Sequence, residues 1–454
     1  MGNEMSDRGG KPEGAVRSLL RAMRSRNYRL FFAGQLVSLI GTWMAQVAMS
    51  WLVYQLTGSK LLLGTVAFAS QIPGFILGPW VGVMVDRWNL RRTLVITQTL
   101  SMLQAFTVAG LTLAGVISTG QIVALALVLG VINAFDMPAR QSFVVHIVEK
   151  REDLANAIAL NSTMFNASRL VGPTVASLVL VGLREFLPSY SIFLRLGLCF
   201  LANGVSFIAV IIALLAMHLA LQGNGRRKSG ALGELREGWR YAFGSLPIRM
   251  LLINLAIISL MGTPYTVLLP VFAQDVLHGK EGTLGMLTAS IGCGAFAGGL
   301  RLAARKSVLG LSKWIAIGAT MMGVSLIAFS LSRTLWLSVP VLACAGFGMI
   351  TQMASSNTVI QTIVEDDKRG RVMALYGMAF LGMMPLGSLM AGYLAERIGA
   401  PMTVALGGVV CIVAGLRFWS MLPQLREHIM PIYEQRGILT PVAAGLQQAQ
   451  SQEE

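Results

Sequence analysis

The chain has 454 residues, 54% of them hydrophobic and only 13% charged, with a formal net charge of +15. Soluble domains carry about a quarter charged residues, so this composition excludes an ordinary soluble protein and leaves little chain for a soluble domain. The basic excess could suggest a nucleic-acid binder, but its distribution over the loops argues for membrane topology instead.

Residues 1–28 are polar and basic, with no separate apolar core and no small-residue cleavage site, so no cleavable signal is expected. Beyond them the chain offers a dozen apolar runs. A hydrocarbon core of ~30 Å needs about 20 such residues per helix. Spans are predicted near 30–54, 61–85, 93–116, 121–140, 157–183, 191–217, 248–273, 283–303, 313–332, 336–357, 371–396 and 401–422. The runs are continuously apolar and lack the period-2 alternation of a barrel strand, so the fold class is an all-α membrane protein of twelve transmembrane helices.

Placing the N-terminus inside puts most Lys and Arg residues on the cytoplasmic side, including Arg226, Arg227 and Lys228. The opposite side keeps only Lys60, Arg184, Arg195 near the start of its span, Lys280, Arg333 and Arg397, and Arg169 falls in the middle of a span. The positive-inside rule therefore predicts both termini in the cytoplasm, with anionic lipid heads as the partners of the basic loops and no nucleic acid. Cys199, Cys293, Cys344 and Cys411 sit singly in apolar spans, so neither disulfide nor metal site is expected.

The only long internal linker, 220–247, divides the spans six and six, between bundles at 29–219 and 248–422. Its stretch Glu234 to Phe243 has the pattern of a short amphipathic surface helix, and 423–454 reads as a polar, mobile tail. The halves echo one another: Ile147-Val148-Glu149 precedes the fifth span and Ile363-Val364-Glu365 the eleventh. Gly172-Pro173 and Pro385-Leu386-Gly387 then interrupt matching helices, as in transporter repeats with a site at their interface.

The sharpest local pattern is Gly82-Val-Met-Val-Asp86-Arg87-Trp88-Asn89-Leu90-Arg91-Arg92, in the turn after the second span. A carboxylate at that helix end needs a basic partner or a helix N-terminus, and Asn89 tolerates a left-handed turn. The pattern resembles the signature loop of the major facilitator superfamily, with Asn89 replacing the usual turn glycine and Leu90 a basic residue. Asn27-Tyr-Arg-Leu-Phe, Gly41-Thr-Trp43-Met44, Phe135-Asp136-Met-Pro138-Ala-Arg140-Gln141 and Arg369-Gly370-Arg371-Val-Met-Ala374 are similar to the branch that includes the enterobactin exporter. The resemblance implies a bacterial inner-membrane carrier whose inner gate is latched by Asp86, with Arg87 or Arg91 supplying the pairing charge and Gly82 and Arg92 completing the loop. The second half keeps only a degenerate copy, Gly298-Gly299-Leu-Arg301 through Arg305-Lys306.

Small residues at Gly74, Gly78 and Gly82, and at Gly377, Gly382, Gly387 and Gly392, let helices approach closely. In the fifth span Asn166, Arg169, Gly172 and Pro173 follow helical spacing, and the Gly-Pro pair, where Pro173 bends the helix, resembles an antiporter motif of superfamily exporters. An intramembrane Arg169 needs a partner, and Asp136, ~22 Å along its helix from the start of the span, is the candidate, either in a structural latch joining it to Arg169 or Arg91 or as a proton carrier.

Gln35, Ser38, Thr42 and Gln46 place four polar groups on one face of the first span, either lining a cavity or bonding a neighbouring helix. Trp43, Trp51, Asn133, Tyr265, Gln352, Asn357 and Tyr376 are weaker cavity candidates. No phosphate loop, metalloprotease motif or nucleophile elbow occurs, so no cofactor, no ATP hydrolysis and no enzyme chemistry are expected. The expectation is a monomeric secondary exporter of a small amphipathic molecule, siderophore or drug-like, in exchange for protons. A lysophospholipid flippase and a non-transporting membrane scaffold are the alternatives.

Overall fold

The computed structural model describes residues 21–85, 87–148, 150–186, 191–217, 231–305 and 307–438. Among them twelve helices are long and apolar enough to cross a bilayer, and there is no strand. In chain order these are α1 (Arg26–Thr57), α2 (Lys60–Val85), α3 (Leu90–Leu113), α4 (Thr119–Ile147), α5 (Leu154–Phe186) and α6 (Ile192–Ala216). They continue as α7 (Leu246–Val276), α8 (Glu281–Ala303), α9 (Leu311–Leu331), α10 (Leu335–Ile363), α11 (Arg369–Ile398) and α12 (Ala400–Ser420).

Local chemistry sets the ends. The Ser25 hydroxyl accepts from the backbone N–H of Tyr28, Ser118 forms a capping box with Gln121, and Ser191 caps α6. Gly58 ends α1 at φ 62°, a left-handed value glycine adopts without strain. α4 and α10 run several residues past the predicted bounds and stop at the same repeated dipeptide: Val148 and Val364 are both extended C-caps.

α7 is interrupted in mid-course. It passes through π turns at Ile258–Gly262 and Phe272–Val276, with a 3₁₀ stretch at Thr263–Leu268 between them, and α11 carries a π turn at Met378–Gly382. Pro264 lacks the N–H that would bond Leu260, and the freed carbonyl is covered by Gly387 of α11, where a Cβ would stand 2.2 Å away. The same device joins the halves: Pro173 frees the Arg169 carbonyl, and Gly292 of α8 packs over it, where a Cβ would stand 3.0 Å away.

In the first half α1 packs on α5 and α6, α2 on α4, and α3 on α4 and α6; in the second α8 and α9 pack on α10, α9 on α12, and α7 on α11 and α12. Two pairs join the halves extensively, α5 with α8 and α2 with α11. α1 starts at what we call the linker face, and the opposite face is distal. The buried apolar side chains divide by depth. A distal core draws on both halves, through Trp51, Leu180, Phe272 and Leu287 among others. Toward the linker face there are two cores, one built from the first half around Phe31, Phe143 and Leu214 and one from the second around Leu251, Ile315 and Val359. Outward-facing Ile96, Leu103, Leu178, Ile212 and Val413 remain exposed, as lipid-facing residues do.

The linker helix (Ala231–Gly244) includes the stretch expected to be helical, whereas Gly223, Gly225, Gly230 and the basic run at 226–228 lie outside the described residues. Glu237 of this helix pairs with Arg371 at 2.7 Å, and Gly238 lies against the Arg371 side chain, tying the linker to the start of α11. The expected mobile tail needs correction: Leu422–Gln435 is a helix that buries Leu425, Ile429 and Tyr433, a single apolar stripe at steps of four. Burial pushes the Tyr433 hydroxyl pKa up to about 12.

Candidate functional site

The distal face is closed by polar contacts between the halves. The Tyr54 hydroxyl of α1 donates to Asp275 Oδ2 of α7 at 2.5 Å, and the neighbouring Gln55 amide donates to Gln274 Oε1 at 2.7 Å. Arg195 of α6 pairs with Glu281 of α8 at 2.7 Å, both side chains being largely buried. Glu396 of α11 accepts from the backbone N–H groups of Lys60 and Leu61 at 2.9 and 3.1 Å, placing a carboxylate on the positive end of α2. Three acids of the second half thus grip the first.

Beneath these contacts the helices touch backbone to backbone. Gly64 of α2 lies against Ser388 and Gly392 of α11, and Gly285 and Gly292 of α8 lie against Pro173, Arg169 and Leu170 of α5. Only part of the expected small-residue surface is used. Gly382, Gly387 and Gly392 make close approaches, but a Cβ at Gly74, Gly78 or Gly377 would meet nothing within 4 Å.

Arg169 sits where α5 packs closely on α8, its carbonyl 3.0 Å from where a Cβ at Gly292 would stand. Its guanidinium lies 5.6 Å from the Trp43 ring of α1, which meets Phe165 edge-on at 5.8 Å. Tyr265 of α7 lies near Arg169, is 2% exposed, and has a hydroxyl with no hydrogen-bond partner among the described residues. Arg169 and Trp43 are half-buried and Phe165 is exposed. Asn166, one turn toward the linker face, is half-buried and donates to the Ser162 carbonyl at 2.9 Å.

The expected pairing of Asp136 with Arg169 is not made. Asp136, 3% exposed, pairs with Arg140 one turn along the same helix and accepts from Thr97 and Gln98 of α3 at 2.8 and 2.7 Å. An i,i+4 partner needs no tertiary adjustment to reach the carboxylate, and the two α3 donors occupy its other oxygen. The polar stripe of α1 is also split. Gln35 and Ser38 are buried, while Thr42 and Gln46 are exposed, Thr42 donating back to the Ser38 carbonyl. Gln352 packs against Gly318 of α9, and the Tyr376 hydroxyl donates to the Met353 carbonyl, so both serve helix packing. Asn133 is exposed, and Asn357 is half-buried and accepts from Gln361. Trp51 belongs to the distal core.

Of the signature loop, Asp86 and the surroundings of Gly82 lie outside the described residues. Asn89 is not left-handed, as expected, but extended, and its side chain accepts from the Arg92 N–H, capping α3 in the role that Ser118 and Ser191 play elsewhere. Arg91 donates to the Leu215 carbonyl at 2.6 Å, satisfying the C-terminal end of α6, and Trp88 stacks on Phe135. Arg87 and Arg92 are exposed. In the second half Arg301 stacks on Trp314, and Arg305 donates to the Leu309 carbonyl at 2.7 Å.

The distal contacts escaped sequence reasoning for Tyr54, Arg195 and Glu281. The only signal was that Asp275 and Glu396 stand at helix ends on the same side of the membrane.

Two bundles meeting through α2, α5, α8 and α11, with a polar centre between them, are the architecture of a membrane transporter rather than an enzyme. A profile of the transmembrane secretion effector family matches residues 17–436, and the chain belongs to that family of major facilitator transporters. Similar proteins include the staphyloferrin A transporter of Staphylococcus aureus, 24% identical over 88% of this chain and 97% of that one. Macrolide efflux protein A of Streptococcus pyogenes is 24% identical over 85% of this chain and 95% of its own. The multidrug efflux pump Tap of Mycolicibacterium fortuitum is 25% identical over 85% and 93%. Among solved structures the nucleoside transporter NupG superposes with a TM-score of 0.69 at 12% identity, covering 87% of this chain and 99% of that one. A bacterial homologue of the lysosomal transporter Spinster, inward-facing and occupied, gives 0.67 at 14%, covering 90% and 98%.

Proposed function

We propose that the chain is a secondary active exporter of the bacterial inner membrane, moving a small amphipathic molecule, siderophore or drug-like, by alternating access in exchange for protons. The observation that carries the reading is the division of the core: one shared by the halves at the distal face, two separate ones toward the linker face. A protein built only for stability would gain by fusing its cores throughout, whereas a carrier needs halves that part on one side at a time. The excess of Lys and Arg on the linker face favours placing that face, with both termini, in the cytoplasm, so this is the inward-facing state. The names of the similar efflux proteins favour export and the substrate class, and the distal carboxylates Asp275, Glu281 and Glu396 are groups through which outside protons could loosen the closed face.

The test is accumulation of a fluorescent cationic dye and of a labelled catechol siderophore in inverted vesicles, with and without an imposed proton gradient. Gradient-dependent accumulation of either supports the reading. Protein shown to be folded that accumulates neither, under any gradient, overturns it.

A further inference from the structure

We propose that Arg169 and Tyr265 form a binding site for the anionic group of the substrate where the two halves meet, with Trp43 and Phe165 as the platform for its apolar part. The proposal rests on the exporter reading and adds a charge class to it: the cargo is an amphipathic anion, such as an aryl carboxylate.

The first argument is an unanswered charge. An ionised side chain at mid-membrane depth is costly unless paired, and proteins that keep one use it. Arg169 has no carboxylate partner among the described residues, and its guanidinium lies 5.6 Å from the Trp43 ring. The acids that might answer it are committed: Asp136 to Arg140, Thr97 and Gln98, Asp275 to Tyr54, Glu281 to Arg195, and Glu396 to the start of α2.

The second argument is an unanswered donor. The Tyr265 hydroxyl is buried, has no acceptor among the described residues, and lies near Arg169. A buried donor without an acceptor costs about as much as a lost hydrogen bond, so its retention points to an acceptor that arrives with a ligand. The interrupted backbone of α7, with a π turn immediately before Thr263, sets this tyrosine in a stretch of the kind that accompanies functional sites.

Position supplies the third. Arg169 belongs to the first half and Tyr265 to the second, so an anion held by both would be gripped across the moving interface. The Arg169 carbonyl lies against Gly292 of α8, and toward the linker face the cores separate. Arg169 and Asn166 are half-buried and Phe165, on the next turn, is exposed, so the site is reached from the linker face. No described carboxylate at this depth is free to attract a cation.

The test uses purified full-length protein in nanodiscs and a matched pair of probes, 1-naphthylacetate and 1-naphthylmethylammonium, with binding measured by calorimetry. The anion should bind and the cation should not. R169Q should weaken naphthylacetate binding about tenfold or more, Y265F about threefold or more, and R169K should restore most of the R169Q loss. Because R169Q might not fold, a second measurement reads the site with Arg169 intact. In protein carrying N166C, with Cys293 and Cys344 replaced by Ser, the anionic methanethiosulfonate MTSES should react faster than cationic MTSET, relative to their rates at an exposed loop cysteine. Equal binding of the two naphthyl probes, no binding of naphthylacetate to folded protein, unchanged binding in folded R169Q, or faster reaction of the cationic reagent would each overturn the proposal. Proteoliposome flux separates the two readings: binding at Arg169 without movement refutes export but leaves the site, and equal movement of both probes leaves export but removes the site.

Discussion

Removing the Tyr54 hydroxyl should open the distal face. Tyr54 is 5% exposed and donates to Asp275 at 2.5 Å across the two halves, a bond that exists only while that face is closed. Hydrogen bonds to charged groups contribute about 1.5–3 kcal/mol, and because Asp275 is itself exposed the lower end applies, about 1.5 kcal/mol. Since ~1.4 kcal/mol is a factor of ten, Y54F should raise the ratio of distal-open to distal-closed protein about tenfold. Spin labels at Thr57 and His278, both exposed at the distal ends of α1 and α7, report this as growth of a longer-distance population in double electron–electron resonance. D275A should act in the same direction, and the double variant should exceed neither single by much, because one bond is lost in all three. An unchanged distance distribution in folded Y54F would refute the reasoning, since a bond joining the halves cannot be removed without shifting the balance it holds.

The ion pair of Arg195 and Glu281 should behave as a buried pair: either single replacement by Gln strands a charge and lowers thermal stability by about 3–5 kcal/mol, while the double replacement recovers much of the loss. Additive losses in a thermal melt would show the pair to be solvated. Gly64→Leu should hold the distal face open, because even a Cβ would stand 2.4 Å from the Ser388 carbonyl; normal protection of a distal cysteine from an impermeant maleimide would contradict this. D136N should destabilise the protein through the stranded Arg140, and its effect should add to that of R169A, since the two sites share no partner. A coupling above about 0.5 kcal/mol in that cycle would mean that Asp136 and Arg169 do meet.

What the sequence makes legible is what the bilayer and the local backbone dictate. Apolar run length places the twelve helices, and the repeated Ile-Val dipeptide ends α4 and α10 in the same conformation. The stripe of α1 is readable as a face but not as a depth: Gln35 and Ser38 are buried while Thr42 and Gln46 stay open. The partner of Asp136 is not a distant arginine such as Arg169 or Arg91, because Arg140, one turn away on the same helix, reaches the carboxylate without any tertiary adjustment. The distal contacts join residues 86 to 336 positions apart, and no local periodicity encodes which helix ends will be neighbours. The tail helix was readable at Leu425, Ile429 and Tyr433 but hidden by the polarity between them.

Gly74 and Gly78 face open space in this state, yet they continue the helix whose Gly64 is pressed against α11. A larger residue at either would disturb no contact described here and would leave melting temperature and yield unchanged. Its cost would fall on the opposite half of the cycle, when α2 must draw close to its neighbours at the linker face, and would register only as slowed turnover. Selection for stability alone would pass such substitutions as neutral, so a constraint on these positions would come from the work of the protein rather than from its fold.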